Sequence, residues 1–315
     1  MLKITRLPVP VIVVGNVVVG GAGKTPTVLA LLQHLQQRGW QPGVVSRGHG
    51  RRGTGVLEVH PDTPATDSGD EPALIRRSGG VPVFVAARRA EAAQALLAAH
   101  PGVDLILCDD GLQHLALGRD LSVAVFDDRA TGNGWLLPAG LLREPWPPGA
   151  GNPFRPDLVL NQRSESAPVV AMTTPLERPS DLPVFEATRR LADHAVGAQG
   201  QRRPLHEFKG QAVTALAGIA RPSVFFDMLR ARGLTLAATV ALPDHAGQQA
   251  YAELLEQSTG PLLCTEKDAV KLFACRPEPA SGDARQAWAV PLELRPEAAF
   301  FEALDRRLAS IQRIR

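Results

Sequence analysis

A strand-like run, a glycine-rich loop and a helical pattern follow one another near the start of the chain. Val9 to Val14 is apolar and rich in β-branched residues, which predicts a buried strand. Gly15 to Gly23 is rich in glycine, and apolar residues then recur on one helical face at Val28, Leu31, Leu32 and Leu35. This order is that of a βα unit in a parallel sheet, so we expect an α/β fold.

The loop between this strand and this helix matches most of a phosphate-binding P-loop. Backbone N–H groups in such a loop bind phosphate oxygens, and glycine lets them approach closely. Lys24 would reach the β- and γ-phosphates, and Thr25 would ligate Mg²⁺. Val18 takes the first glycine position of GxxxxGK[ST], and the GGxGKT form resembles the P-loops of MinD-like NTPases. We therefore expect ATP and Mg²⁺ as cofactors, with the nucleotide bound by Gly20, Gly21, Ala22, Gly23, Lys24, Thr25 and Pro26.

Further apolar runs and helical patterns alternate along the chain. Val103 to Cys108 is continuously apolar, as expected for a strand buried on both faces. A polar, proline-punctuated stretch at 164–204 precedes a second series of strands and helices. We therefore predict two domains: a core of the P-loop NTPase type with a largely parallel sheet at 1–183, and a smaller α/β domain at 184–315 that contributes to the cleft.

Composition excludes several classes of protein. The 34 basic and 32 acidic residues give a formal net charge of +2, so the chain lacks the polybasic character of a nucleic-acid-binding protein. The three cysteines show neither metal-ligand nor disulfide spacing. No apolar stretch approaches the roughly 20 residues that span a bilayer. We expect no nucleic acid, no transmembrane helix and no obligatory protein partner.

Three segments carry candidate acid–base or metal-binding groups. Asp109-Asp110 directly follows the predicted strand 103–108, where P-loop enzymes place a carboxylate that holds Mg²⁺. Ser68-Gly69-Asp70-Glu71 precedes a helical segment, and the residues alone favour Ser68 or Asp70 as a helix N-cap. His245 follows a proline turn and, by itself, reads as a surface histidine. A kinase nevertheless needs a group that orients and deprotonates its acceptor hydroxyl, and Asp or His is the usual choice.

The sequence argues against guanine as the base. Asn161-Gln162-Arg163-Ser164 follows a predicted strand where a GTPase carries the NKxD motif. Ser164 replaces the aspartate that reads guanine. The segment Thr265–Asp268 has its residues in the wrong order for that motif.

Taken together, the ordered segments resemble the tetraacyldisaccharide 4'-kinase family over nearly the whole chain. Each segment alone is weak, but the set in this order is highly specific. The segments that carry the resemblance are Val14–Asn16, Gly20–Pro26, Ser46–Gly48, Ser68–Glu71, Asp109–His114, Gly132–Gly134, Leu137–Gly140, Leu142–Pro145, Ala217–Pro222, Asp244-His245 and Thr265–Leu272.

The resemblance implies transfer of the ATP γ-phosphate to the 4'-hydroxyl of tetraacyldisaccharide 1-phosphate in lipid A biosynthesis. It implies that Asp70 and His245 together activate this hydroxyl, with Lys24 as the third catalytic residue. It also implies that Mg²⁺ is held by Thr25, Asp109, Asp110 and Glu144. The residues that would contact the substrate or support the site are Arg47, Glu71, Gln113, Arg119, Arg143 and Arg221.

A substrate with several acyl chains partitions into the bilayer, so we expect peripheral contact with the cytoplasmic face of the bacterial inner membrane. Relatives usually carry an apolar helical segment before the first strand, where this sequence has residues 1–7. Two alternatives stay open: a MinD-like nucleotide-dependent switch NTPase, and a kinase for a small soluble metabolite. The first leaves Asp70 and His245 without a role, and activity on water-soluble hydroxyl compounds would favour the second.

Overall fold

The computed structural model describes residues 4–21, 23–149, 151–165, 176–177, 179–244, 246–258, 260–275 and 287–312. Ala22 and His245, both named above, lie outside these ranges. The chain divides into two compact units. One comprises Met1–Thr188 together with Leu294–Arg315, and the other is Arg189–Glu293.

Strands and helices alternate over most of the chain, as the sequence predicts. The strands are β1 Val11–Gly15, β2 Pro42–Ser46, β3 Leu57–Glu58, β4 Val83–Val85, β5 Leu105–Asp109, β6 Leu121–Phe126, β7 Leu158–Ser164, β8 Val184–Leu191, β9 His194–Val196, β10 Arg202–Pro204, β11 Val213–Ala217, β12 Leu236–Ala241, β13 Leu262–Thr265, β14 Ala287–Val290 and β15 Leu292–Pro296. The helices are α1 Lys24–Gln37, α2 Ala65–Ser68, α3 Asp70–Gly79, α4 Arg89–Ala99, α5 Pro222–Ala231, α6 Gln248–Gln257, α7 Glu266–Cys275 and α8 Ala298–Gln312.

The first unit is built on a nine-stranded sheet in the order β15-β8-β7-β6-β1-β5-β2-β4-β3. The central strand β1 pairs in parallel with β5 and β6, and the parallel pairing continues to β7 on one side and to β2 and β4 on the other. Only the short β3 is antiparallel to its neighbour among these strands. The largely parallel sheet predicted from the sequence is confirmed.

Helices cover both faces of this sheet, which explains why its strands are apolar throughout. Leu31 of α1, Ile75 of α3 and Phe300 of α8 pack in one cluster with the β1 residue Ile12. On the other face, Leu96 of α4 packs with residues of β2 and β5. All residues of β1 and β5 are buried, as expected for central strands of such a sheet.

The second unit contains a six-stranded sheet in the order β10-β9-β14-β13-β11-β12. The four strands β11 to β14 pair in parallel with one another. β9 is antiparallel to β14, and β10 is antiparallel to β9. A smaller α/β unit is therefore present. The sequence assigned all of 184–315 to one domain, whereas the structure groups Leu294–Arg315, with α8, with the first sheet. A division of the chain by function stays a prediction.

Candidate active site

The glycine-rich loop joins the buried end of β1 to the first residue of α1, the arrangement that a P-loop requires. Gly20 and Gly23 have φ angles of 87° and 80°, which glycine adopts without strain. At Gly23 the surroundings also exclude a side chain, because an added Cβ would lie 2.0 Å from Oε1 of Gln162. Glycine is therefore favoured at both positions by the backbone, and at Gly23 by the neighbouring side chain as well.

Asn16 ties the loop to its lysine. Its side chain is fully buried, and its amide Nδ2 donates to the carbonyl oxygens of Val18 and Gly20. Its Oδ1 accepts a hydrogen bond from Nζ of Lys24 at 3.3 Å. Lys24 is itself only 9% exposed, so the loop fixes the position of this ammonium group.

The Asp110 carboxylate contacts two cationic side chains at the end of β5. Its Oδ1 lies 3.5 Å from Nζ of Lys24 and 3.4 Å from Nη1 of Arg143. Arg89 donates from Nη2 to the Asp110 carbonyl at 2.9 Å. Burial alone would raise the pKa of the Asp110 carboxyl, but Lys24, Arg143 and Arg89 together hold it below its usual value. The side chain is therefore an anion that orients two cations next to the phosphate loop.

Asp109, the last residue of β5, lies in a contrasting environment. It is fully buried, its Oδ2 accepts from the hydroxyl of Ser46 at 3.5 Å, and its Oδ1 accepts no hydrogen bond from the described residues. Burial, with the negative charge of Glu71 added, raises the pKa of Asp109 to about 7, although Lys24 opposes the shift. A buried carboxylate oxygen without a donor is the kind of group that a cation satisfies.

Glu144 and Gln113 form the next part of the site. Gln113 donates from Nε2 to Oε1 of Glu144 at 2.7 Å and to the carbonyl of Asn16 at 3.0 Å. Arg143 in turn donates to Oε1 of Gln113 at 3.5 Å. Burial raises the pKa of Glu144, and the hydrogen bond from Gln113 opposes that shift. These contacts connect the segment 143–144 to both the phosphate loop and the acidic end of β5.

Comparison with known proteins decides which family has these features. The family described as tetraacyldisaccharide-1-P 4'-kinase matches residues 1–309. The chain belongs to this family. It is therefore grouped with the phosphotransferases of lipid A biosynthesis that act on an alcohol group, and the switch-NTPase and small-metabolite alternatives are set aside.

Individual relatives agree with this assignment. The chain is 52% identical over 311 residues to the tetraacyldisaccharide 4'-kinase of Acidovorax sp. (strain JS42), covering 99% of this chain and 84% of that protein. It is 53% identical over 314 residues to the tetraacyldisaccharide 4'-kinase of Polaromonas naphthalenivorans (strain CJ2), with the same coverage. A crystal structure of LpxK from Aquifex aeolicus in complex with ATP superposes with a TM-score of 0.76 at 26% identity, covering 98% of this chain and 91% of that chain.

Several residues that the resemblance to this kinase family singled out do meet in the structure. Lys24, Asp110 and Arg143 are in mutual contact through the carboxylate, and Gln113 bonds Glu144. Thr25 and Pro26 form the first turn of α1 after Lys24. Glu71 acts on Asp109 through its charge. What these residues do in the reaction stays a prediction.

Other predicted residues have different surroundings. Arg119 directs its guanidinium to the carbonyls of Leu112 and His114, at 2.7 and 3.0 Å, so it shapes the turn that follows β5. Arg47 helps to lower the pKa of His114, after burial and the charges of Arg89 and Arg119. Arg221 is the residue before α5, in the second unit.

The N-cap interpretation of the segment 68–71 is wrong. The N-cap of α3 is Gly69, with φ 92°, and Asp70 is the first helical residue instead. Ser68 ends α2, and its hydroxyl donates to the carbonyl of Pro64 at 3.1 Å. Asp70 is only 6% exposed, and it lies in the first turn of α3 rather than before the helix.

Sequence reasoning missed three polar residues that hold the phosphate loop. Gln162 is fully buried and donates from Nε2 to the Gly23 carbonyl at 3.0 Å and to Thr27 Oγ1 at 2.7 Å. Arg129 donates to the Val19 carbonyl at 3.2 Å while both carboxylate oxygens of Asp127 accept from its Nε. Gln162 lies in the second half of β7, and Asp127 and Arg129 directly follow β6, so the position near the carboxyl end of a strand was the available signal.

The segment that corresponds in position to the GTPase base motif, 161–164, makes structural contacts in this kinase. Asn161 donates to the Glu186 carboxylate at 3.1 Å, whereas the next residue, Gln162, holds Gly23. These contacts explain why the segment is polar without reading a guanine. That this segment does not bind guanine stays a prediction.

In the second unit, the segment Thr265–Leu272 organises the residues on either side of position 245. Lys267 Nζ lies 2.8 Å from Oδ1 of Asp244, and Lys271 donates to the carbonyl of Ala246 at 3.1 Å. Asp268 is buried and accepts from Tyr251 Oη at 2.7 Å and from the Gly218 amide at 3.0 Å. His245 itself lies outside the described residues.

Within the ranges that the structure describes, no three His, Cys, Asp or Glu side chains converge as a metal site. Across the same ranges, no helix combines the length and the apolar character needed to cross a bilayer.

Proposed function

We propose that this chain transfers the γ-phosphate of ATP to the 4'-hydroxyl of tetraacyldisaccharide 1-phosphate, with Mg²⁺ as cofactor. The observation that carries the proposal is the cluster at the phosphate loop, in which Lys24 and Arg143 share the Asp110 carboxylate. Phosphoryl transfer needs cations fixed around the transferred group, since its transition state spreads negative charge over the phosphoryl oxygens.

The phosphate loop and these two cations would together bind the phosphates of the nucleotide. Backbone N–H groups of the glycines and the start of α1 bind the phosphates, and Lys24 reaches the β- and γ-phosphates. Arg143 would neutralise charge on the transferred phosphoryl group. Because Asp110 holds both cations before ATP arrives, little reorganisation is needed during the reaction.

The acidic residues fit a Mg²⁺ ion. Mg²⁺ is typically bound through one or two carboxylates, waters and the substrate phosphates, so it does not require a cluster of three protein ligands. Thr25, Asp109 and Asp110 would hold it, and the buried Oδ1 of Asp109 without a donor supports this. Bound Mg²⁺ supplies charge neutralisation on the β- and γ-phosphates. Glu144, whose carboxylate accepts a hydrogen bond from Gln113, would contribute to the same Mg²⁺ site.

Asp70 and His245 are proposed to prepare the acceptor hydroxyl. Asp70 is a buried carboxylate in the first turn of α3, and the residues that flank His245 are held by Lys267 and Lys271. Aspartate and histidine are the groups that usually orient and deprotonate the acceptor hydroxyl of a kinase, so each of these two residues could take part in removing the proton of the 4'-hydroxyl. Arg47, Glu71, Arg119 and Arg221 are proposed as supporting residues.

The lipid acceptor implies contact with a membrane surface. A tetraacylated disaccharide stays in a bilayer leaflet, so the protein has to reach it there. We propose peripheral contact with the cytoplasmic face of the bacterial inner membrane, where ATP is available. No protein partner is needed for this reaction.

The test is transfer of γ-labelled phosphate from ATP to tetraacyldisaccharide 1-phosphate in detergent micelles with Mg²⁺. Wild type is compared with Lys24→Ala, Asp70→Ala and His245→Ala. We expect labelled lipid from wild type, none from Lys24→Ala and a steep loss in the other two. Persistent labelling in Asp70→Ala and His245→Ala would refute their role in activating the hydroxyl, and ATP hydrolysis without lipid labelling would refute the proposed reaction.

A further inference from the structure

Arg129 is a half-buried cation beside the phosphate loop. Its Nη1 donates to the Val19 carbonyl at 3.2 Å and lies 3.3 Å from the position that a Cβ on Gly20 would take. Its Nη2 is buried and makes no hydrogen bond with the described residues. Buried donors in folded proteins are nearly always paired, so an unpaired one next to a binding loop points to an acceptor on the ligand.

The turn after β6 fixes the guanidinium in this position. Both carboxylate oxygens of the buried Asp127 accept from Nε of Arg129 at 3.0 Å, and Oδ1 also accepts from its backbone N–H at 3.1 Å. The next residue, Ala130, is buried and has a φ of 46°, which residues other than glycine rarely adopt. Strained backbone of this kind concentrates at functional sites. Because Asp127 binds Nε, both Nη groups remain for the loop and its ligand.

The first part of the phosphate loop, Val17–Gly20, is also where the other cations of the site are attached. Nζ of Lys24 donates to Asn16, whose amide donates to two carbonyls of this segment. The backbone N–H of Arg143 donates to the first carbonyl of the segment at 2.7 Å. Since the lysine of a P-loop reaches the β- and γ-phosphates, the segment lies at the γ-phosphate end of the nucleotide. Arg129 contacts this same segment.

We propose that the guanidinium of Arg129 donates to the γ-phosphate of bound ATP. The contact itself requires only ATP, whereas its part in phosphate transfer rests on the proposed function. A guanidinium has five N–H donors, and a phosphate oxygen is among its strongest acceptors. Asp127 and the Val19 carbonyl occupy Nε and Nη1, so donors remain for the phosphate. An arginine in this position neutralises the charge on the γ-phosphoryl oxygens during transfer, as arginine fingers do in other P-loop enzymes.

The test compares the binding of ATP and of ADP, each with Mg²⁺, by calorimetry in wild type and Arg129→Gln. No lipid acceptor is present. ADP lacks the γ-phosphate, so a distorted loop weakens both nucleotides alike, whereas a lost γ-phosphate contact weakens ATP alone. We expect the Kd for ATP to rise about tenfold more than the Kd for ADP, as for the loss of one hydrogen bond to a charged group. Arg163→Gln is the matched control, because Arg163 is exposed and pairs with Glu186, and it should change neither constant.

Two results would overturn the proposal. Equal weakening of ATP and ADP would show that Arg129 only holds the loop, and unchanged constants would show that it does not contact the nucleotide. Arg129→Lys decides the matter if Arg129→Gln fails to unfold cooperatively. One ammonium group cannot hold Asp127, the Val19 carbonyl and a phosphate at once, so the Kd for ATP should again rise more than that for ADP. An unchanged ratio of the two constants in the lysine variant would overturn the proposal.

Phosphate transfer separates this contact from the proposed function. With tetraacyldisaccharide 1-phosphate in micelles and saturating ATP, Arg129→Gln should lower kcat, because the charge on the transferred group is less well neutralised. An undiminished kcat would overturn the role of Arg129 in transfer. If wild type transfers no phosphate to the lipid, a selective loss of ATP binding in Arg129→Gln still supports the contact, and only the proposed reaction fails.

Discussion

Replacing Asp109 by asparagine should stabilise the protein in the absence of Mg²⁺ and nucleotide, and more so at higher pH. The pKa of this buried carboxyl is raised from 3.8 to about 7 in the folded state. A raised carboxyl pKa means that the folded protein binds the proton more tightly than the unfolded chain. The free energy of unfolding that Asp109 contributes is therefore greatest below its unfolded pKa and falls as the pH rises toward about 7.

The size of the effect follows from the two pKa values. One unit of pKa difference corresponds to about 1.4 kcal/mol. Between about pH 5.5 and about pH 8, the wild type should lose roughly 2 kcal/mol relative to Asp109→Asn, and the difference should level off above the folded pKa. The same substitution should reduce phosphate transfer, because the neutral amide binds Mg²⁺ poorly.

Asp110→Asn is the matched control, since it makes the same chemical change at the next residue. The cations around Asp110 hold its pKa below the usual value, so its stabilising effect is present above the unfolded pKa and is lost only in more acidic solution. The variant should therefore be less stable than wild type by an amount that does not change between about pH 5.5 and about pH 8. Asparagine also tolerates the positive φ of 48° at this position.

The assay is urea unfolding followed by tryptophan fluorescence, with EDTA and without nucleotide. A Trp288→Phe background is used for all proteins, because Trp288 is the tryptophan of the second unit and Asp109 lies in the first. A difference between Asp109→Asn and wild type that stays constant with pH would refute the reasoning. So would a difference that shrinks as the pH rises.

Three further predictions concern residues around the phosphate loop and in the core of the second unit. Gln162→Met should raise KM for ATP about tenfold with little change in kcat, since it removes the two hydrogen bonds that Nε2 donates to the Gly23 carbonyl and to Thr27 Oγ1, whereas Asn161→Met should leave that KM unchanged in initial-rate assays. Gly23→Ala should abolish ATP binding in calorimetry, whereas Gly39→Ala, at φ 88° but with free space around it, should bind ATP normally. Asp268→Ala should lower the free energy of unfolding by about 3 kcal/mol in urea titrations, because several buried donors lose their acceptor, and an unchanged stability would contradict the assigned network.

Local patterns in the sequence predicted the parts of the site that depend on neighbouring residues. The strand, glycine loop and helix from Val11 to Gln37, and the acidic pair at the end of β5, could be predicted because each is a continuous segment with its own periodicity and turn chemistry. The buried Asp109 and the anionic Asp110 could not be told apart in this way. Their difference depends on Glu71, Arg89 and Arg143, which are distant in the sequence.

Residues supplied by other strands were harder to predict. Gln162 and Arg129 contact the phosphate loop only because parallel strands bring their carboxyl ends to one edge of the sheet. Arg89 follows another arginine, Arg88, and arginines are mostly exposed, yet Arg89 is 7% exposed and donates to the Asp110 carbonyl. The return of α8 to the first sheet likewise depends on packing over a long separation, which periodicity within the helix does not encode.

The most direct test of the proposed reaction identifies the position on the lipid that receives the phosphate. Phosphorus NMR of the lipid product, after reaction of wild type with ATP, Mg²⁺ and tetraacyldisaccharide 1-phosphate, distinguishes a second phosphate monoester from a diphosphate. We expect a second monoester on the sugar, formed by wild type and absent with Lys24→Ala. A diphosphate at the existing phosphate, or free phosphate with an unchanged lipid, would contradict it.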